Sequence, residues 1–372
     1  MAKDSLLSRY CSLVLPQDSA SRSLRQATTK ERIQVRIDLR TIASTTVAAA
    51  LVLGLGACTA SSSATSETSQ AESSDAQQGQ WPRTITDEKG SVTIEEQPKR
   101  IVNTAMSTTG SLLAIDAPVA ATTITTPGPE ADSNGFFTQW SEAATAANVQ
   151  PLYKIGNFDL ESIIAQDPDL IVVSTSGADS VMDHYDQLKE IAPTIVVNYS
   201  DKDWPELTRQ LAEATGHETE AEKIIAEFDE RAAQVKEKLA IPAGTTASIV
   251  SYNKGSASPV GKTTGPHSRL ITSLGFDVVE PPEEYNTNPQ KRDDFVFTSY
   301  EGLAKSATGD ATFLIAATDE TAKTFLEDPT LANLPSVKSK NVFPLANSFR
   351  LDYYSSSQIL DYFENDFPSL SK

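Results

Sequence analysis

From Trp81 onward the chain alternates short β-branched or apolar runs with longer stretches of mixed polarity. The runs are Ile101-Val102, Thr122-Thr123-Ile124, Leu170 to Val173, Thr194 to Val197, Ile249-Val250, Phe313 to Ile315 and Asn341 to Phe343. Continuous apolar runs separated by helix-like segments predict buried parallel strands in βαβ units, hence an α/β protein. Two passages read as imperfect copies of one αβ unit. DLESIIAQDPDLIVVS and SYEGLAKSATGDATFLIAA each start a helix near an acidic residue and enter a strand soon after an Asp. The longest helical pattern falls between them. Thr219 to Glu222 has capping-box spacing, Ile224, Ile225, Phe228, Ala232, Val235 and Leu239 recur at three and four, and Ile241-Pro242 with Gly244 ends the run. The pattern predicts two lobes with a bridging helix over 217–241, long enough at 1.5 Å per residue to reach from one to the other. The expected divisions are a first lobe over 81–216, a second over 242–350 and a C-terminal helix over 351–372.

Ahead of the folded body the pattern changes twice. Arg32, Arg36 and Arg40 precede an uncharged run from Thr41 to Ala57, which ends on small residues before Cys58. A cationic region, an apolar stretch too short and weak for a permanent membrane span, and small residues at a cut describe a secretory signal. The segment resembles the lipobox of bacterial lipoproteins, which implies lipidation of Cys58 and removal of 1–57. A signal needs nothing before Arg32, so translation is expected to start in the thirties. Thr59 to Gln80 has seven Ser, no apolar side chain larger than Ala and no base, and is expected to be a disordered tether. The protein is thus expected outside the cytoplasm, held to the membrane through Cys58.

The formal net charge of the 372 residues is −19. Residues 1–57 carry eight bases and four acids, and the rest 23 bases and 46 acids, so the body beyond the leader stands at −23. That sign disfavours nucleic acid as a partner. Cys11 and Cys58 are the only cysteines, so a chain cut before Cys58 has no disulfide and no thiolate metal site. Three scattered histidines, His184, His217 and His267, supply neither a convincing metal cluster nor many bases for a serine triad; His184 and His217 are expected to be solvated. Gly261-Lys262-Thr263-Thr264 echoes a phosphate loop, but the glycine spacing is wrong and Gly265-Pro266 is expected to interrupt the following helix. No enzymatic motif stands.

Trp81-Pro82-Arg83, SLLAIDAPV, DLESIIAQDPDLIVV, YDQLKEIAPTIVVNY and Phe349 to Tyr354 together resemble the ferric siderophore-binding proteins of bacterial ABC importers, the ferric-enterobactin-binding group above all. The resemblance covers nearly all of 81–367. It implies two three-layer α/β lobes joined by one long α-helix, a ligand cleft between them, and delivery of a ferric siderophore to permease subunits by a protein expected to be a monomer. A tris-catecholate saturates its iron, so neither a cofactor nor a metal ligand is expected from the protein. Its three negative charges and aromatic rings call for cations, Arg above Lys. By resemblance Arg292 and Arg350 match anion-binding positions, with Asp293 and Asp352 as rival ion-pair partners; Lys262, His267 and Arg269 are weaker candidates. One of Tyr353 and Tyr354 is expected in the core and the other at the rim. Glu161 and Glu301, at matching positions in the repeated units, correspond to the family's permease-docking acids, although either could simply favour a helix start. The sequence departs from the enterobactin-binding pattern by lacking a base after Thr125-Thr126-Pro127 and a Trp in SASPVGKTTGPH. Receptors for a hydroxamate siderophore, haem or a corrinoid, and an envelope lipoprotein without cargo, remain alternatives.

Overall fold

The computed structural model describes residues 79–289 and 292–371. The signal, Cys58 and nearly all of the tether lie outside the described residues.

The first strands, β1 (Arg83–Asp87) and β2 (Gly90–Ile94), form an antiparallel hairpin that the apolar pattern did not announce. The Asp87 carboxylate accepts from Lys89 and Gly90 N–H to close the turn and from Val196 N–H to hook the hairpin onto a sheet edge. That sheet is parallel, in the order β5-β4-β3-β6-β7, from β3 (Ile101–Asn103), β4 (Val119–Ile124), β5 (Gln150–Lys154), β6 (Leu170–Ser174) and β7 (Thr194–Val197). Along β6, Leu170 and Val172 enter one apolar cluster while Ile171 and Val173 enter another on the opposite face. Both faces are covered, which is why the run reads as continuously apolar. The connecting helices are α1 (Thr109–Ala114), α2 (Ser141–Ala146), α3 (Leu160–Ile164) and α4 (Tyr185–Leu188).

Two helices then turn the chain toward the second lobe. α5 (Trp204–Thr215) opens on a capping box between Asp203 and Glu206 and closes at Gly216, whose φ of 75° suits glycine. α6 (Glu218–Leu239) starts immediately, with His217 at its N-cap. The box expected at Thr219 therefore does not form: Thr219 is already inside the first turn, and Glu222 pairs with Arg209 of α5. Ala221 of α6 packs into the first lobe's core, and Ile225, Phe228, Ala232 and Val235 into the second lobe's. One helix thus belongs to both cores.

The second sheet joins β8 (Thr246–Val250), β9 (Ser258–Gly261), β10 (Asp277–Val278), β11 (Phe295–Thr298), β12 (Ala311–Ile315) and β13 (Val342–Leu345) in the order β11-β9-β8-β12-β13, with β10 also on β8. It is mixed rather than parallel, since β9 runs antiparallel to both β8 and β11. Its helices are α7 (Pro266–Ser273), α8 (Tyr300–Ser306), α9 (Asp319–Leu326), α10 (Pro335–Ser339) and α11 (Tyr353–Asn365). Pro266 opens α7 instead of interrupting it, because proline suits the first helical turn. The loop before it does not present its amides to a phosphate: Thr263 donates N–H and Oγ–H to the Glu280 carboxylate.

The two αβ copies are real structural counterparts. α3 is capped by Asp159 and α8 by Ser299, and each leads into the strand lying beside the first strand of its own sheet. Neither of the two tyrosines that open α11 is a plain rim residue. Tyr353 packs on the second lobe's core, edge-on to Trp204, while Tyr354 packs on the first lobe's.

Candidate functional site in the cleft between the lobes

In the first sheet the strand order reverses between β3 and β6, so the crevice for a ligand is at the carboxyl ends of these strands. Ser107, after β3, donates its N–H to Asp179 Oδ2 (2.9 Å), after β6. Tyr199, after β7, donates its hydroxyl to Asp179 Oδ1 at 2.6 Å. Asp179 is thereby buried and ties three loops into one wall. Opposite it, the second lobe contributes Ala316 after β12 and Phe349-Arg350 after β13. A cleft of about 600 Å³ lies between, with the Thr125 to Ala131 turn along one side.

Arg350 is the cation of this cleft. Its guanidinium carbon is 5.3 Å from the Tyr199 ring centre and 4.9 Å from that of Phe349, and it forms no ion pair among the described residues. Asp352, its rival partner in the sequence, turns away to cap α11 through Ser355 N–H. Phe349 leaves 48% of its surface exposed at the cleft mouth, which is unusual for so large an apolar side chain. Glu130 faces Arg350 from the first lobe; burial pushes its carboxyl above the usual range and Arg350 pulls it back. The turn that lacks a base therefore carries an acid.

The other candidate cations have different employment. Arg292 forms a bidentate pair with Asp294 at 2.7 and 2.6 Å, not with Asp293, and lies near enough to Tyr199 to interact with it electrostatically. It borders the cleft through Asp294, which lines a narrow extension shared by Tyr199, Trp204, His267 and Arg350. Lys262 is turned away, donating to the Arg292 carbonyl (2.7 Å) and pairing with Glu283 (3.2 Å). Arg269 pairs with Asp203 and Glu206 at the start of α5 and does not line the cleft. As an exposed pair it contributes little, so Arg269→Ala should change stability by less than about 1 kcal/mol in a denaturant titration and leave ligand affinity within about twofold.

His267 is not a cation at all. It is 6% exposed, and burial pushes its imidazole down to about 4. Nε2 donates to the Ser348 carbonyl at 2.6 Å, which fixes the Nε2–H tautomer because a carbonyl only accepts. Ser348 Oγ in turn accepts from Ala316 N–H and donates to Leu345 O. His267 is thus a positioning residue that anchors the loop presenting Phe349 and Arg350. His184 also differs from its solvated expectation, stacking on Phe158 at 3.7 Å.

The family model of the periplasmic binding proteins matches residues 101–348, more than half of the chain. The chain belongs to the periplasmic binding protein family. It is 42% identical over 289 residues to the ferric enterobactin-binding periplasmic protein FepB of Escherichia coli O6:H1, covering 77% of this chain and 91% of that one. Against the solved structure of holo-ViuP it is 43% identical with a TM-score of 0.71, covering 76% of this chain and 94% of the other. The iron(3+)-hydroxamate-binding protein FhuD of Bacillus subtilis is 30% identical over 201 residues, covering 53% of this chain and 58% of that protein.

This periplasmic binding protein keeps its docking candidates apart from the cleft. Glu161 and Glu301 are both exposed and both occupy the first turn of a helix, one on each lobe. Ser107, Asp179, Tyr199 and Phe349 escaped the sequence reading. Asp179 lies in the loop after β6, ahead of the short helical stretch that begins at Met182. The signal for Tyr199 was present: Asn198-Tyr199-Ser200 directly follows a buried strand, where α/β sheets place ligand contacts.

Proposed function

We propose that this protein captures a ferric siderophore of the catecholate class between its lobes and delivers it to an ABC permease, as a binding protein without catalytic activity. The observation that carries the reading is Arg350, a guanidinium without an ion-pair partner among the described residues, flanked by two aromatic rings in a cleft wide enough for a chelate. Such a group offers N–H donors to catecholate oxygens and planar faces to catechol rings. The relation to FepB, which spans nine-tenths of that protein, favours a catecholate. The iron arrives already chelated, so the protein supplies no metal ligand and no cofactor. Lipidation at Cys58 would keep the body at the outer face of the membrane, as a monomer.

Glu130 favours a second reading. An acid opposite a single lining cation suits a chelate of lower charge, such as a ferric hydroxamate, better than a trianion. A fluorescence titration separates the two, with Trp204 as reporter because it lines the extension beside Arg350. Ferric tris-catecholate should quench with submicromolar affinity and ferric hydroxamate with none; the reverse order would replace the first reading by the second.

Glu161 and Glu301 would dock the two lobes onto permease bases. Replacing both by glutamine should leave the titration unchanged while reducing uptake of the iron complex by at least about tenfold, the effect of losing charge pairs at an interface. Undiminished uptake would leave these acids with only their helix-start role.

A further inference from the structure

Behind the wall formed by Asp179 the cleft opens into a side chamber of about 180 Å³, reached past Ile155, Ala178 and Asp179, which line both spaces. The chamber lies wholly in the first lobe. Its walls are aromatic: Tyr153 meets Phe158 edge-on at 5.8 Å, and Phe158 stacks on His184 at 3.7 Å. Its charge is opposite to that of Arg350, since Asp179 and Asp183 line it and no lysine or arginine among the described residues does.

Tyr153 is the unexplained group. It is 8% exposed, and its hydroxyl is buried without a hydrogen-bond partner among the described residues. Burial, reinforced by Asp159 and Asp179, pushes the phenol up, so it stays an O–H group. A buried hydroxyl without a partner destabilises a fold and is rare in native structures, which points to a partner that comes with the ligand. Phenylalanine would fill the same space without that cost.

We propose that the chamber is a second subsite that receives a cationic amine on the ligand's backbone, with the Tyr153 oxygen accepting from the ammonium, Asp179 and Asp183 supplying opposite charge, and the Phe158–His184 stack lining the wall. This rests on the siderophore-capture reading and narrows its ligand to a bipolar one, anionic at the iron and cationic on an arm. Aromatic faces beside carboxylates are the surroundings in which an ammonium is held after losing water.

The test uses two ferric tris-catecholates that differ only in one arm, a primary amine in the first and its N-acetyl derivative in the second, titrated into the full chain and into Tyr153→Phe at equal ionic strength. The wild-type chain should favour the amine by roughly tenfold, and Tyr153→Phe should reduce that preference to about twofold or less. Comparing ratios within each protein removes the general attraction of an acidic body for a less anionic probe. Thermal melting without ligand gives a second readout: Tyr153→Phe should melt higher than wild type, whereas a hydroxyl with a structural role would make it melt lower. Equal binding of the two probes, a preference unchanged by Tyr153→Phe, or a lower melting temperature would overturn the subsite and leave siderophore capture standing. Binding of neither probe would overturn both.

Discussion

Arg350→Ala will weaken binding of a ferric tris-catecholate by roughly a hundredfold, about 3 kcal/mol, because it removes the guanidinium that meets the anionic ligand in a partly desolvated cleft. Melting should barely change. Arg350 forms no ion pair among the described residues, so its removal strands no buried carboxylate, and the adjoining Tyr199 hydroxyl is held by Asp179. Arg350→Lys should recover only part of the loss, since an ammonium keeps the charge but lacks the planar fork that rests between Tyr199 and Phe349. The corresponding Arg292→Ala should cost less affinity and more stability, because it leaves the largely buried Asp294 carboxylate without its bidentate partner. Parallel titration and melting of the three variants checks this order. An affinity loss below about threefold for Arg350→Ala would place the ligand elsewhere.

The second large effect is on acid stability and comes from two buried groups with opposite signs. His267 is pushed down to about 4 from an ordinary 6.5. As pH falls through 6.5 the unfolded chain takes up a proton that the folded chain refuses until about 4, so stability drops by about 3 kcal/mol across that window. Asp352 is pushed up by burial to about 6 from 3.8, against the pull of its Ser355 hydrogen bonds. As pH rises through 3.8 the unfolded chain releases a proton that the folded chain keeps until about 6, so this group makes stability fall with rising pH by a similar amount, about 3 kcal/mol. The two contributions nearly cancel between pH 4 and 6, and substitution uncovers each. Asp352→Asn keeps a good helix cap and removes the burial cost of a carboxylate. It should be more stable than wild type at pH 7 and lose stability steeply below pH 6.5. His267→Gln, which can still donate to the Ser348 carbonyl, should instead gain stability relative to wild type as pH falls from 6.5 toward 4. Denaturant titrations at pH 4.5, 5.5 and 7 measure both slopes, and matching slopes in the two variants would show that these groups do not carry the dependence.

The balance of these two residues also shows what the sequence could and could not tell. The strands were legible because both faces of each sheet are buried, which makes runs such as Leu170 to Val173 uniformly apolar. The bridging helix was legible because one stripe packs against two cores in succession. The hairpin of β1 and β2 was not, since its exposed positions dilute any apolar run, and β9 gave no sign of its antiparallel course. At the site, residue type pointed to cations but could not tell an unpaired one from those with partners. The resemblance set Arg350 and Arg292 level and Lys262 and Arg269 below them; only the fold shows that Arg292, Lys262 and Arg269 have Asp294, Glu283 and Asp203 as partners. His267 looked like a ligand cation because its burial depends on the distant Ser348 loop. Asp179 and Tyr199 are twenty residues apart and meet only through the order of the strands.

Where the iron complex rests decides most directly whether the cleft is the binding site. Crystals of the protein grown with ferric tris-catecholate, with data collected at the iron absorption edge, locate the metal independently of any assumption about the ligand. One anomalous peak is expected in the interlobe cleft, with catecholate oxygens facing the Arg350 guanidinium and a ring against Phe349. A peak coordinated directly by protein side chains, or one outside the cleft, would contradict it.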